Sequence, residues 1–364
     1  MYLRLKSYEP CADNHHTAAL AGGGLTQDLR GALFKRHLSA FDWLRGGQNG
    51  PIKFIDLDQL EYSVWRARRG DLLASIMSRL YIDGLSNLIV PRLGAACQFS
   101  IGVTWNHENH FFTLAGQAIA LRAIAICAPL RQERKLFEIG RAIHRFSTLK
   151  HRSLGLFNWK SRPATPSEHR LEPRIRDNAW YAMALHQFAK AYGDRCLQND
   201  ANLLSDVTIR HYEDVMSSGS NGDNALRFDD KLATASLMAY RCAQTADDAA
   251  ATIAICLLNE CASKHAITDA GYAQNDQRII GTEQTIDLDC TINLVRTCQN
   301  LARLRPQPTL ASIAKHGTKA LFNPKHALTR MPESGVLLAA DTGKDASRDT
   351  NGQAPDSHEL ALDL

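Results

Sequence analysis

The sequence predicts an all-α protein, an (α/α) toroid of about six helical hairpins. Three observations carry this expectation. Apolar residues recur at three- and four-residue spacing along most of the chain, as in Leu114, Ile119, Leu121, Ile124 and Ala125. Strand-type alternation is scarce. Tight helix junctions alternate with long loops rich in Gly, Asn, Ser, Pro, His and charge.

Residues 1–24 end in Gly22-Gly23-Gly24 and read as a disordered N-terminal segment. Helices are expected near 25–45, 57–69, 71–85, 110–129, 132–148, 177–193, 200–217, 229–244, 247–263, 285–304 and 308–321. The junctions Arg66-Ala-Arg-Arg-Gly70-Asp71 and Lys190-Ala-Tyr-Gly193-Asp194 share one grammar. Glycine closes one helix in the left-handed conformation, and the aspartate after it caps the next. Such turns make antiparallel helix pairs. The segments 86–109, 149–176, 218–228 and 264–284 form the longer connections. A ring of hairpins produces this alternation, with tight turns on one rim and functional loops on the other. The apolar run Ser334–Ala340 reads as a strand or packed extended segment, which puts the toroid at 25–340 and a polar, disordered tail at 341–364.

Composition excludes several classes. The chain has 364 residues, 45% hydrophobic, with 42 Lys and Arg against 38 Asp and Glu, a net charge of +4. That balance, without a basic tail or aromatic–basic motif, argues against nucleic acid. The longest apolar stretch, Ala118–Leu130, contains Arg122 and is too short to span a bilayer. No membrane partner is expected, and the protein should be soluble. Nine cysteines without C-x-x-C spacing argue against a zinc ribbon, a dithiol site and a disulfide framework. They read as reduced thiols of a cytoplasmic protein. No cofactor is implied, since phosphate-binding glycine loops and nucleophile elbows are missing.

Several segments in consistent order resemble one family. Ala40-Phe-Asp42-Trp-Leu-Arg-Gly46-Gly47 with Pro51-Ile-Lys53-Phe54 is similar to its F-D-x-x-x-G-G-F-G-x-x-P-K-F stretch. Leu60-Glu61-Tyr through Arg69-Gly70-Asp71 continues the register. Gln98-Phe99-Ser100 and Trp105–Phe111 resemble R-Y-S…W-x-x-P-H-F-E-K. Asp177-Asn178-Ala-Trp180 resembles the aromatic start of an inner helix. Ala327-Leu-Thr-Arg330 and Gly335-Val-Leu-Leu-Ala339 resemble A-L-S-R…G-V-L-L-A. The family is the spermatogenesis-associated, thioredoxin-domain-containing one, whose members join a thioredoxin-like domain to a six-hairpin, glycosidase-like toroid. The resemblance covers roughly residues 39–340 and implies the toroid alone, because the thioredoxin-like domain is missing. At the family's P-H-F-E-K position stand Glu108-Asn109-His110-Phe111-Phe112. Phenylalanine in place of a carboxylate transfers no protons.

The residues that point to chemistry are few. Trp105, His107, Glu108 and His110 form the densest polar–aromatic cluster. His107 and His110 could share a helix face, yet no third metal ligand follows, so no metal is expected. The cluster reads either as a polar cap on the helix from Phe111 or as a cavity lining. Asp177, Asn178 and Trp180 open a helix: Asp177 is either its N-cap or a hydroxyl-binding group, and Trp180 either core or a sugar-stacking wall. Asp229 and Asp230 precede another helix, where one would be a cap. Asp287-Leu-Asp289-Cys290 is similar to the D-x-D-D acid of class II terpene cyclases, with a thiol in the last place, and reads first as an acidic helix cap. Glu108, Asp177, Asp230, Asp287 and Glu283 are the candidates for a carboxylate pair across a cleft.

Two functions follow. One is a degenerate, non-catalytic member that acts as a scaffold for a protein partner or as a carbohydrate-binding toroid. The other is a carbohydrate-active enzyme of glycoside hydrolase or sugar epimerase type, working through carboxylates in the central cavity. An open cavity with facing carboxylates favours a sugar ligand, whereas a centre filled by Phe111, Phe112 and Cys97 excludes it.

Overall fold

The computed structural model describes residues 24–106, 111–153, 155–159, 173–217, 227–267, 270–273, 286–328 and 333–348. The helices are α1 (Gln27–Ser39), α2 (Leu57–Ala67), α3 (Leu72–Leu88), α4 (Leu114–Cys127), α5 (Arg134–Lys150), α6 (Ile175–Tyr192), α7 (Arg195–Ser217), α8 (Phe228–Thr245), α9 (Asp248–His265), α10 (Leu288–Leu304), α11 (Pro308–Leu321), α12 (Pro324–Ala327) and α13 (Glu333–Arg348). Described strands are two residues long and form antiparallel pairs in the loops. One of these, Ile52–Lys53 on Ser100–Ile101, ties two rim loops together.

Helices α2, α4, α6, α8, α10 and α13 pack each on the next, and α13 packs back on α2, closing an inner ring. Outside it, α3, α5, α7, α9, α11 and α1 cover α2, α4, α6, α8, α10 and α13 in turn. The fold is thus the six-hairpin (α/α) toroid. Helices α1 and α13 make the sixth hairpin. Arg30 of α1 pairs with Asp341 of α13 at 2.7 Å, and His37 Nδ1 meets Ser334 Oγ at 2.9 Å inside the core. Burial pushes the His37 imidazole down to about 3, so that contact joins neutral partners at physiological pH.

The two rings differ in pattern for a physical reason. An inner helix touches neighbours on both flanks and its outer partner behind, so it is buried nearly all round, as α4 and α6 are. An outer helix buries one face only and keeps the amphipathic spacing, as in α5 with Leu136, Gly140, Ile143 and Phe146 inward. The inner helices α2, α4, α6, α8 and α10 each enter from a longer connection and leave by a short turn. Gly193 closes α6 at φ +68°, and the Asp194 carboxylate accepts the amides of Cys196 and Leu197. Asp71 caps α3 by accepting from the Ala74 amide. All inner helices therefore point their N-termini at the loop rim.

One expectation is corrected here. Residues 334–340 are not extended: they lie in α13, which runs on through the expected boundary at 340 to Arg348. A short apolar run gives no periodicity to separate a strand from a helix buried on every side. The expected segments 1–24 and 341–364 lie mostly outside the described residues.

The α5–α6 contact sets a sharp packing limit. A Cβ on Gly140 would stand 2.2 Å from the ring of the fully buried Phe188. Gly140→Ala should cost about 1–3 kcal/mol net of its gain in helix propensity, read as a lower urea midpoint at unchanged slope. A stabilised variant would contradict this packing.

Candidate functional site

The toroid encloses a cavity of about 650 Å³ at the N-terminal ends of its inner helices. Its wall is built from Asp58 of α2, Ile119 and Arg122 of α4, Trp180 and Met183 of α6, and Asp289, Asn293 and Arg296 of α10. The rim loop before α2 adds Gln48, Phe54 and Asp56.

That loop is held by a buried lysine. The Lys53 ammonium is fully enclosed and donates to Asp42 Oδ2 at 2.7 Å, to the Gln48 carbonyl at 2.8 Å and to the Gly46 carbonyl at 3.2 Å. A buried charge is tolerated only when paired and hydrogen-bonded in this way. Trp105 seals the same loop. Its indole N–H donates to the Arg45 carbonyl at 2.7 Å, and its ring lies where a Cβ on Gly47 or Gly84 would come within 2.6 and 2.4 Å. The Phe-Asp…Gly-Gly…Pro-x-Lys stretch therefore serves a structural end, the delivery of Gln48, Phe54 and Asp56 to the cavity.

Below the cavity lies a charge cluster joining three inner helices. Glu61 of α2 is buried and bonded to Arg296 of α10, and accepts from Arg122 of α4 at 3.3 Å. Arg296 also reaches Asp58 at 3.4 Å. Asp58 keeps 35% of its side-chain surface toward the cavity. Its carboxyl is raised, chiefly because protein surrounds it, and also by Glu61 and Asp289, while Arg296 and Arg122 pull it back. Asp56 caps α2 through the Gln59 amide and accepts from the Gln48 side chain. Burial, reinforced by the Asp58 charge, pushes the Asp56 carboxyl up to about 7. A carboxyl poised there can give or take a proton near neutrality.

The residues singled out in the sequence are distributed unevenly. Trp180 is half-buried and lines the cavity. Asn178 is buried and clamps the preceding loop: its Nδ2 donates to the carbonyls of Phe157 and Arg174, and its Oδ1 accepts from the Phe157 amide. Asp177 is not the N-cap, because α6 starts at Ile175; it lies buried in the first turn and pairs with Arg176 at 3.1 Å. Asp230 belongs to the capping box of α8 and accepts the Arg176 amide at 3.0 Å, which joins α8 to α6. Asp229 pairs with Arg176 at 2.6 Å. Asp287 is the N-cap of α10, accepting the Cys290 amide at 2.9 Å. Trp105 is in the loop seal and is not among the residues that line the cavity. His107, Glu108, His110 and Glu283 lie outside the described residues. Phe112 packs on Phe146 and Phe111 on Trp159, so neither fills the centre.

Sequence reading passed over Asp56, Asp58, Glu61, Arg122 and Arg296 as site residues. The signal was a charge at a core-facing position: Arg122 inside the apolar α4, and Arg296 beside Leu294 and Val295 in α10.

Comparisons with known proteins agree on the fold. No family model and no curated protein matches the chain, so the motif resemblance to the thioredoxin-domain-containing family gains no support there. Among solved structures, the chain is similar to a sugar epimerase from a ruminal bacterium, with a TM-score of 0.68 and 10% identity over 86% of this chain and 96% of that one. It is similar to a D-mannose isomerase, with a TM-score of 0.67 and 9% identity over 88% and 98%. A GH76 α-mannanase from Bacteroides thetaiotaomicron gives a TM-score of 0.62 and 13% identity over 89% and 97%. At these identities the likeness is one of fold.

Two outcomes test the charged floor. Glu61→Ala leaves Arg122 without its carboxylate and Arg296 with Asp58 alone, and should cost about 3–5 kcal/mol in chemical denaturation. Asp56 titrates higher folded than unfolded, so the folded state holds an extra proton between about pH 4 and 7. Its contribution to stability therefore falls as pH rises through that window. Asp56→Asn, which keeps the helix cap, should flatten the decline in urea midpoint from pH 4 to pH 7. An unchanged profile would place the Asp56 titration elsewhere.

Proposed function

We propose that this protein is a carbohydrate-binding toroid whose central cavity holds a neutral saccharide of one or two rings. One observation carries the reading: a 650 Å³ cavity presents the Trp180 ring beside Asp56, Asp58, Asp289, Asn293, Arg122 and Arg296. An aromatic face takes the C–H surface of a sugar ring, and carboxylates, amides and guanidinium groups take its hydroxyls. The charge of the wall selects within that class. Asp58 and Asp289 with Glu61 behind them, joined by Asp56 as it ionises near pH 7, outnumber the two guanidinium groups of Arg122 and Arg296. Sugar phosphates and uronates are disfavoured there. The carbohydrate-processing proteins that share the fold support the same ligand class.

A second reading, that the bound sugar is also transformed, is favoured by Asp56. A carboxyl raised to about 7 suits proton transfer at a sugar carbon or at a glycosidic oxygen. We read the ordered motifs from Ala40 to Ala339 as kinship with the toroid part of the thioredoxin-domain-containing family, on those motifs alone. All eight described cysteines are free thiols, which supports placement in a reducing compartment such as the cytoplasm.

Thermal shift and titration calorimetry against neutral mono- and disaccharides check the proposal. A ligand should raise the melting temperature, and Trp180→Ala should weaken it roughly tenfold or more. A flat response to every neutral sugar, with a stable protein partner recovered, would leave the scaffold role instead. Incubation of the bound sugar in D₂O, followed by proton NMR, separates binding from turnover: exchange or product lost in Asp56→Asn marks an enzyme.

A further inference from the structure

An inner helix that starts at the loop rim rises about 1.5 Å per residue, so steps from its start measure depth in the ring. Two such helices line the cavity with residues at the same steps. The second, sixth and ninth residues of α4 are Ala115, Ile119 and Arg122, and those of α10 are Asp289, Asn293 and Arg296. This spacing puts each trio on one helix face. Helix α4 lies between α2 and α6, and α10 between α8 and α13, which sets the two opposite each other in a ring of six. At the ninth step their walls match, arginine against arginine. Nearer the rim they differ. Ala115 and Ile119 are half-buried, and with Ala118 they offer side chains without a polar atom. Asp289 and Asn293 are exposed and offer a carboxylate and an amide. The α4 wall continues onto Trp180, the sixth residue of α6, and on its other flank onto Leu57 and Phe54. Asp56 and Asp58 bound this apolar side at the start of α2.

The two sides suit different parts of a ligand. A sugar hydroxyl turned to α10 finds a carboxylate and an amide to bond. One turned to α4 leaves water for side chains that neither donate nor accept, and an unpaired hydroxyl is costly. The cavity of about 650 Å³ has room for a second ring beside a sugar stacked on Trp180. We infer that the ligand is a glycoside with an apolar aglycone, aryl or short alkyl, whose sugar hydroxyls face Asp289 and Asn293 and whose aglycone lies on Ala115, Ala118 and Ile119. The inference rests on the proposed carbohydrate reading and narrows it: the group beside the sugar is apolar, not a second sugar. A disaccharide would turn the hydroxyls of its second ring to α4, where no side chain of that wall above Arg122 pairs them.

Titration calorimetry of the wild-type protein with matched ligands decides it: the methyl glycoside, the phenyl glycoside and the disaccharide with glucose in place of phenyl, for glucose, mannose and galactose in both anomers. In the series whose sugar the cavity accepts, the phenyl glycoside should bind roughly tenfold tighter or more than the methyl glycoside, the scale of burying one apolar ring. It should also bind tighter than the disaccharide. Ile119→Gln, which puts an amide on the α4 side, should narrow the ratio of phenyl to methyl affinity. If the disaccharide binds tightest, or all three bind equally, the inference is overturned while the saccharide cavity stands. An unchanged ratio in folded Ile119→Gln places the phenyl group elsewhere and overturns it too. If no member of any series binds, or phenol alone binds as tightly as its glycosides, the carbohydrate reading falls and the inference with it. Should Ile119→Gln fail to fold, the wild-type series still decides.

Discussion

The structure depends on one buried carboxylate. Glu61 sits between Arg296 and Arg122 and so ties α2 to α10 and α4 across the axis of the ring. Three inner helices are thereby held by charge as well as by packing, around a space that apolar side chains would otherwise close. The arrangement is sensitive to loss of one partner, because an unpaired guanidinium below the cavity is far costlier than an exposed one. It also fixes the electrostatics above it. Asp58 faces the cavity from the turn before Glu61, and Asp56 from the cap before that, so two further carboxyls share one helix start.

The rim loop supplies the other half of the site by a different device. The Lys53 ammonium gathers Asp42 and two carbonyls about itself, and Trp105 fits against two glycines that admit no side chain. Gln48 then reaches Asp56, and Phe54 enters the wall. Residues that look like a signature of chemistry serve here as a clamp for the residues that line the cavity. Asp230 and Asn178 act similarly around α6: Asp230 accepts the Arg176 amide and Asn178 donates to the Arg174 carbonyl, both at the helix start that carries Trp180.

Much of the architecture is legible in the sequence. Helix spacing, the Gly70-Asp71 and Gly193-Asp194 turns and the Asp287 cap are local features, set by hydrogen bonds within a few residues, and each is found where expected. The last inner helix reads as extended because its run Val336–Ala340 is apolar on every side, as an inner-ring helix must be. The site is half legible. Trp180 can be named from its place at a helix start, whereas Trp105 looks the same in sequence and serves the loop seal.

By itself the sequence determined the helices α1 to α11, the tight turns that pair them and the long loops that alternate with those turns, since these follow from periodicity and capping over short distances. Only the tertiary structure decided which charges meet. Glu61 and Arg296 are separated by 235 residues, and Arg122 and Glu61 by 61. Their partnership exists only because the ring closes, α13 on α2, and turns three separate helix faces toward one axis.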